Sequence, residues 1–239
     1  RKVWLIMGDK HISSQFDTEL NTISAKVMEM GGLVESQLRS AVYAFFEHSS
    51  EAADQVIERE ASVNALEVEI DHDVSSTIGR RQPTARDLRM LLALSKITAN
   101  LERAGDEVTK MARMVKLILE SGTSRSLPSS ELRVATDLAT ALLRRSLDAF
   151  ARLDTDTALA IIKADDEIDQ EYDGFLRKLI TYIMEDSRAI SPSLNLLFLA
   201  KSIERVGDHA KNIAESTIYV AKGTDVRHLS PSAMESAVQ

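Results

Sequence analysis

The 239-residue chain contains no cysteine. Disulfides, thiolate nucleophiles and cysteine metal ligands are therefore excluded. Proline (4) and glycine (9) are scarce, and aromatic residues make up only 5%. Strand-rich folds spend more on turns and aromatics, so the composition leans helical. No apolar run approaches the roughly 20 residues that span a bilayer; the longest in the body, Leu194–Ala200, is broken by Asn195. Excess positive charge is missing too. The formal net charge is −8, which argues against a nucleic-acid binder that must displace counterions with a basic surface. There is no Gly-rich phosphate loop and no Gly-x-Ser-x-Gly nucleophile motif.

What is present is ordinary soluble material, 44% hydrophobic and 28% charged, cut by breakers into about six long helical segments. These are expected at about 13–48, 51–78, 83–120 and 129–153, then from just after Asp154-Thr155-Asp156 to about 186, and at 191–223. Gly79 is expected to end the second, and Ser191-Pro192 to open the sixth. Gly31-Gly32 inside the first marks a kink or a close helix contact. Helices this long with short connections make antiparallel neighbours. The fold class is accordingly all-α: two tandem, pseudo-symmetric three-helix bundles. Residues 1–10 are expected to lie outside the fold as a leader, with Met7-Gly8-Asp9 as a natural start. The bundles then occupy 11–122 and 129–223, joined by a linker at 123–128 and followed by a C-terminal tail at 224–239.

The two halves echo each other. Leu101-Glu102-Arg103-Ala104-Gly105-Asp106 on the third helix matches Ile203-Glu204-Arg205-Val206-Gly207-Asp208 on the sixth, and Val63-Asn64 on the second matches Ile168-Asp169 on the fifth. The offsets are 102 and 105 residues, which reads as an internal duplication. Glu102 and Asp106 are four apart, as are Glu204 and Asp208, so each pair lies about 40° apart on one helix face. Like charges at that spacing repel by a few tenths of a kcal/mol. A hard cation bound by oxygen ligands would reverse the sign. Helical phasing puts each pair on the flank, more than about 100° from the apolar centre.

The partner helices repeat the spacing. Asp165 and Asp169 lie on the fifth, and Glu60 and Asn64 at the matching places on the second. Asn212 continues the line from Asp208 where the first half has Lys110. The candidate metal ligands are thus Glu60, Asn64, Glu102, Asp106, Asp165, Asp169, Glu204, Asp208 and Asn212, with the second half the richer oxygen set. Ion pairing of the acids by Arg103 and Arg205 is the plainer alternative. A di-iron oxidase would need two Glu-x-x-His motifs facing the core; only Glu69-Ile70-Asp71-His72 is present, so an enzyme is not expected. A third reading is a helical adaptor whose acidic faces meet basic partners, any metal being incidental.

The same residues carry a family resemblance. His11, Phe16-Asp17-x-Glu19-Leu20, Arg81-Gln82-Pro83-x-x-x-Asp87-Leu88-Arg89, Leu101–Asp106, Leu147-Asp148-Ala149-Phe150-Ala151-Arg152, Met184-Glu185-Asp186 and Glu204–Glu215, in this order, make the chain resemble the PhoU phosphate-signalling regulators from about His11 onward. Ser187 departs from the family's usual Asp-Pro. The resemblance implies two three-helix bundles, often dimeric, with multinuclear metal sites (iron, zinc, manganese or magnesium) at the repeated acidic motifs. It implies a cytoplasmic negative regulator of the phosphate regulon, coupling a phosphate ABC transporter ATPase to a phosphate-sensor histidine kinase and meeting the membrane only through those partners. Ala151 and Arg152 are candidate partner contacts.

Overall fold

The computed structural model describes residues 14–122, 127–185 and 190–238. The expected leader, His11, part of the linker, Asp186 and Ser187 lie outside the described residues. Seven helices are present among those described: α1 (Ser14–Phe46), α2 (Ser50–Arg81), α3 (Ala85–Glu120), α4 (Ser130–Arg152), α5 (Thr155–Glu185), α6 (Ile190–Lys222) and the short α7 (Pro231–Val238).

The connections are tight and locally explained. Ser49 caps α2, its hydroxyl accepting from the Ala52 N–H at 3.1 Å, which satisfies one orphan donor of the first turn. Helix α2 does not stop at Gly79, as expected from the sequence. It runs to Arg81 and ends where Gln82 turns left-handed (φ 46°) just ahead of Pro83. A helical glycine is only a weak breaker, whereas the residue before proline is pushed out of the right-handed helical region. Leu153 closes α4 in the left-handed region (φ 51°). Asp154 then caps α5, accepting from the Thr157 N–H at 2.9 Å and the Thr157 hydroxyl at 2.7 Å. Helix α6 begins one residue before Ser191-Pro192; proline is tolerated in a first turn, where its missing N–H has no intrahelical partner. Helix α7 occupies ground expected to be only a tail, and its Met234 and Val238 are buried.

Helices α1–α3 pack as one bundle and α4–α6 as a second, with α7 on α5 and α6. The bundles meet along two seams, α3 against α6 and α1 against α4. Helices α2 and α5 take the outer flanks. One continuous apolar core runs through both halves, from Ile23 and Leu38 through Leu94 and Leu101 to Phe150, Ile203 and Ile218. Each fully buried Leu, Ile or Phe contributes about 1.5–3 kcal/mol relative to exposure. Gly31 lets the second seam close: a Cβ built there would lie 2.3 Å from Leu147 Cδ1. Gly31 is therefore a close helix contact, whereas Gly32 faces open space. Among the family-motif residues, Arg81 pairs with Glu19 through two hydrogen bonds of 2.8 and 3.1 Å, tying the end of α2 to the start of α1.

The α3–α6 seam is antiparallel. Lys96 lies 5.1 Å from the Tyr219 ring, Asn100 accepts from Asn212, and Glu107 meets Arg205, so numbers rise on one helix as they fall on the other. With the 102-residue offset between halves, the contact of Ser202 with Glu107 has as its mirror image the contact of Asn100 with His209, and both are hydrogen-bonded. The two halves are thus related by a pseudo-twofold axis passing near Ala104 and Val206.

Candidate functional site

Two regions concentrate chemistry, the acidic motifs on the flanks and the polar seam between them. The first-half motif is a zone of only partly compensated negative charge. On α2 the residues Glu60, Asn64, Glu67 and Asp71 follow one another at helical spacing, facing Glu102 and Asp106 on α3. Burial, then Asp106, Glu67 and Glu60, push the Glu102 carboxyl above its ordinary pKa, with Arg103 only partly opposing. Burial, then Asp71 and Asp106, push Glu67 up as well. Glu67 is a residue that the sequence reading missed. Its place three residues beyond Asn64, on the same helix face, was the available signal. Glu60 is partly drawn off by Arg113 at 3.3 Å, and Asn64 is exposed.

The second-half motif is built differently. Lys201 Nζ stands 2.6 Å from Glu204 Oε2 and 5.2 Å from the centre of the Tyr172 ring. Burial would lower the Lys201 pKa, but Glu204, Tyr172 and Asp208 hold it above its usual value. The pseudo-symmetry explains the contrast. Lys201 corresponds to Ala99, and Tyr172 corresponds to Glu67. The second half therefore carries a cation and an aromatic ring where the first carries a methyl group and a carboxylate. Asp169 and Asp208 are exposed, and the Asp165 side chain lies outside the described residues. Asn212 does not face α5. It crosses the seam, donating to Asn100 Oδ1 at 3.0 Å. The richer oxygen set read from the sequence is thus partly neutralised and partly turned away. Among the described residues, no three His, Asp or Glu side chains converge closely enough, as they stand, to hold a metal ion. The donor chemistry of the first half still fits a hard cation: the donors are oxygens on facing helices, and their mutual repulsion is what such an ion would relieve.

At the seam, Glu107 is only 6% exposed. Its carboxylate accepts from Lys110 at 2.8 Å, Ser202 at 2.8 Å and Arg205 at 3.1 Å. Burial raises its pKa, but these three donors together hold it below the ordinary value. Arg205 thus pairs with the opposite half and not with the acids of its own motif. His209, the counterpart of Glu107, lies 3.1 Å from Asn100. Burial brings its pKa down from 6.5 to about 4; Glu107 opposes this, and Arg103, Arg205 and Lys110 reinforce it. Asp106, Asp208 and these groups line an open cleft of about 480 Å³.

The remaining candidates fall outside these regions. Ala151 and Arg152 sit at the end of α4, where Arg152 is exposed and loosely paired with Asp148 at 3.9 Å. In the lone Glu-x-x-His motif, Glu69 pairs with Lys26 at 2.5 Å and His72 is exposed.

An all-α pair of three-helix bundles, fused about a pseudo-twofold and carrying Glu-Arg-x-Gly-Asp twice, defines the class. The description "PhoU domain" matches at residues 27–115 and again at 132–217. The chain is 46% identical over 226 residues, 94% of its length and 96% of the relative's, to a protein from a Burkholderia species named "Phosphate-specific transport system accessory protein PhoU homolog". It is 45% identical over 222 residues to the Escherichia coli (strain K12) "Phosphate-specific transport system accessory protein PhoU", covering 92% of this chain and 91% of that protein. The crystal structure of PhoU from Pseudomonas aeruginosa superposes with a TM-score of 0.85 at 43% identity, over 88% of this chain and 100% of that one. The phosphate transport system regulatory protein PhoU from Streptococcus pneumoniae gives 0.82 at 26% identity, over 89% and 99%. The chain belongs to the PhoU family. The relatives' names describe accessory and regulatory proteins, not enzymes.

Proposed function

We propose that this chain is a non-catalytic regulator of phosphate transport, an accessory protein of a phosphate-specific transport system. The observation that carries the reading is the match to proteins of that name along nearly the whole of both chains. The finer reading has the chain act at the cytoplasmic face as a negative regulator of the phosphate regulon, linking the transporter ATPase to a sensor histidine kinase. No helix among the described residues is long and apolar enough to cross a membrane, and in this reading the chain meets the membrane only through those partners. A homodimer is compatible with this role.

In the same reading, Glu60, Glu67, Glu102 and Asp106 hold a hard cation in the first half, and Asp165, Asp169, Glu204 and Asp208 form the second-half counterpart. A bound ion would neutralise the like charges and brace α2 against α3. The competing adaptor reading, with metal incidental, is favoured by one observation: no three described carboxylates converge on a point.

Deleting the gene should derepress phosphate-starvation genes in phosphate-rich medium, and the tagged chain should co-purify with the transporter ATPase and the kinase. Unchanged expression in the deletion strain would overturn the regulatory reading. Elemental analysis of chelator-free protein, wild type against Glu102→Ala/Asp106→Ala and Glu204→Ala/Asp208→Ala, decides between the metal and adaptor readings; equal metal content in all three removes the metal sites.

A further inference from the structure

The seam between α1 and α4 opens, at the end away from Gly31 and Leu147, into a groove of about 550 Å³. Its character departs from that of the chain. The protein as a whole carries a net charge of −8, yet this groove is lined by Arg39, Arg133, Arg144 and Arg145 against the two acids Glu47 and Asp137. The arginines are not equally available. Arg39 is held by Glu35 at 2.6 Å, and the Arg133 guanidinium stacks 4.1 Å from the centre of the Phe46 ring. Arg144 and Arg145 are exposed, and neither has a hydrogen-bonding or ion-pairing partner among the described residues.

Between the charges lies an apolar floor of Val42, Tyr43, Phe46 and Ala141. Tyr43 is 59% exposed, a large aromatic left in water in a chain with only four tyrosines. Exposed Tyr and Arg around an apolar floor is the composition of interface hot spots. Arginine is also the side chain suited to gripping a carboxylate through two parallel hydrogen bonds. The floor excludes a purely ionic ligand as the best fit, because a small anion would leave Tyr43 and Val42 in water. Arg144 and Arg145, without partners of their own among the described residues, favour an acidic ligand over a basic one.

We propose that the α1–α4 groove docks an acidic amphipathic segment of a partner protein. Apolar side chains of that segment cover Tyr43 and Phe46, and its carboxylates meet Arg144 and Arg145. This is the helix-in-groove mode, with a charged rim that steers the encounter and an apolar centre that holds it. The proposal does not depend on which protein supplies the segment.

The test uses the full chain and a fluorescently labelled synthetic helical peptide bearing Leu and Phe on one face and Glu on the other. A second peptide replaces every Glu with Gln. Fluorescence anisotropy should show saturable binding of the acidic peptide that weakens about tenfold or more in Arg144→Glu/Arg145→Glu and on raising the salt. Tyr43→Ala should weaken it several-fold at constant salt dependence. All three positions are exposed, and circular dichroism of each variant checks that it remains folded. Four results would overturn the proposal: no saturable binding of the acidic peptide, equal binding by the charge-reversed variant, equal binding of the Gln peptide, or displacement of the peptide by inorganic phosphate or phosphatidylglycerol vesicles that themselves bind with the same arginine dependence.

Discussion

Arg205 of the second-half motif places its guanidinium 3.1 Å from the Glu107 carboxylate of the first half, joining the bundles through an ion pair that is buried on the acid's side. Removing one donor leaves a desolvated carboxylate short of a partner. Arg205→Ala should therefore destabilise the chain by about 1–3 kcal/mol, read by urea denaturation. The folded-state pKa of Glu107 is depressed, so the stability it contributes is present above the ordinary carboxylate pKa and is lost as pH falls through the lower folded value. Glu107→Gln should flatten that acid limb of the stability profile.

His209 behaves in the opposite chemical sense but with the same sign. Its pKa is about 4 folded against 6.5 in the ordinary state, so the unfolded chain takes up its proton first. Stability should be full above pH 6.5 and should fall by the order of 1 kcal/mol or more as pH drops from there towards 4. His209→Gln, which keeps a polar partner for Asn100, should remove that slope. An unchanged slope would show that other groups carry it.

The adjacent glycines of α1 should respond with opposite signs. Gly32→Ala meets open space and should gain up to about 1 kcal/mol of helix propensity. Gly31→Ala drives a methyl group into Leu147 and should lose about 1–3 kcal/mol through overpacking. Combining Gly31→Ala with Leu147→Ala should recover part of the loss, and a double-mutant cycle measures the coupling.

The unequal acidic motifs make a fourth prediction. Raised carboxyl pKa values in the first half mean that ionising those groups costs stability. Metal-free protein should therefore lose a few tenths of a kcal/mol as pH rises through the ordinary carboxylate range near 4.5. Ala99→Lys, which copies Lys201 into the first half, should raise the melting temperature of chelator-treated protein and reduce its stabilisation by added Mn²⁺. If Mn²⁺ stabilises wild type and Ala99→Lys equally, the first-half acids are not where it acts.

Local rules made much of this architecture legible. Pro83, Ser191-Pro192 and helical periodicity placed the six long helices, and the repeated Glu-Arg-x-Gly-Asp announced the duplication. Phasing correctly put Glu102 and Asp106 on a flank within reach of acids on α2. What a single helix cannot reveal is which neighbour lies across each face. Asn212 looked like another ligand one turn beyond Asp208, but the seam turns it to Asn100. Arg205 looked like a counter-ion for its own motif, but it reaches Glu107. Lys201 lies three residues before Glu204, and its effect emerges only once Tyr172 is seen beneath it. Gly79 failed as a stop signal because helix propensity is a weak term beside the packing of Thr77 and Val74 in the core.

The antiparallel seam of α3 and α6 has the form of a contact that two identical chains would make across a true twofold axis. In such a dimer every substitution is made twice, and the two acidic motifs must remain the same. Fusing the halves into one polypeptide removes that constraint. Glu107 can then face Arg205 while its mirror image is a histidine, and one motif can acquire a lysine while the other keeps its bare carboxylates. The linkage that costs the molecule its symmetry lets it assign different tasks to its two ends.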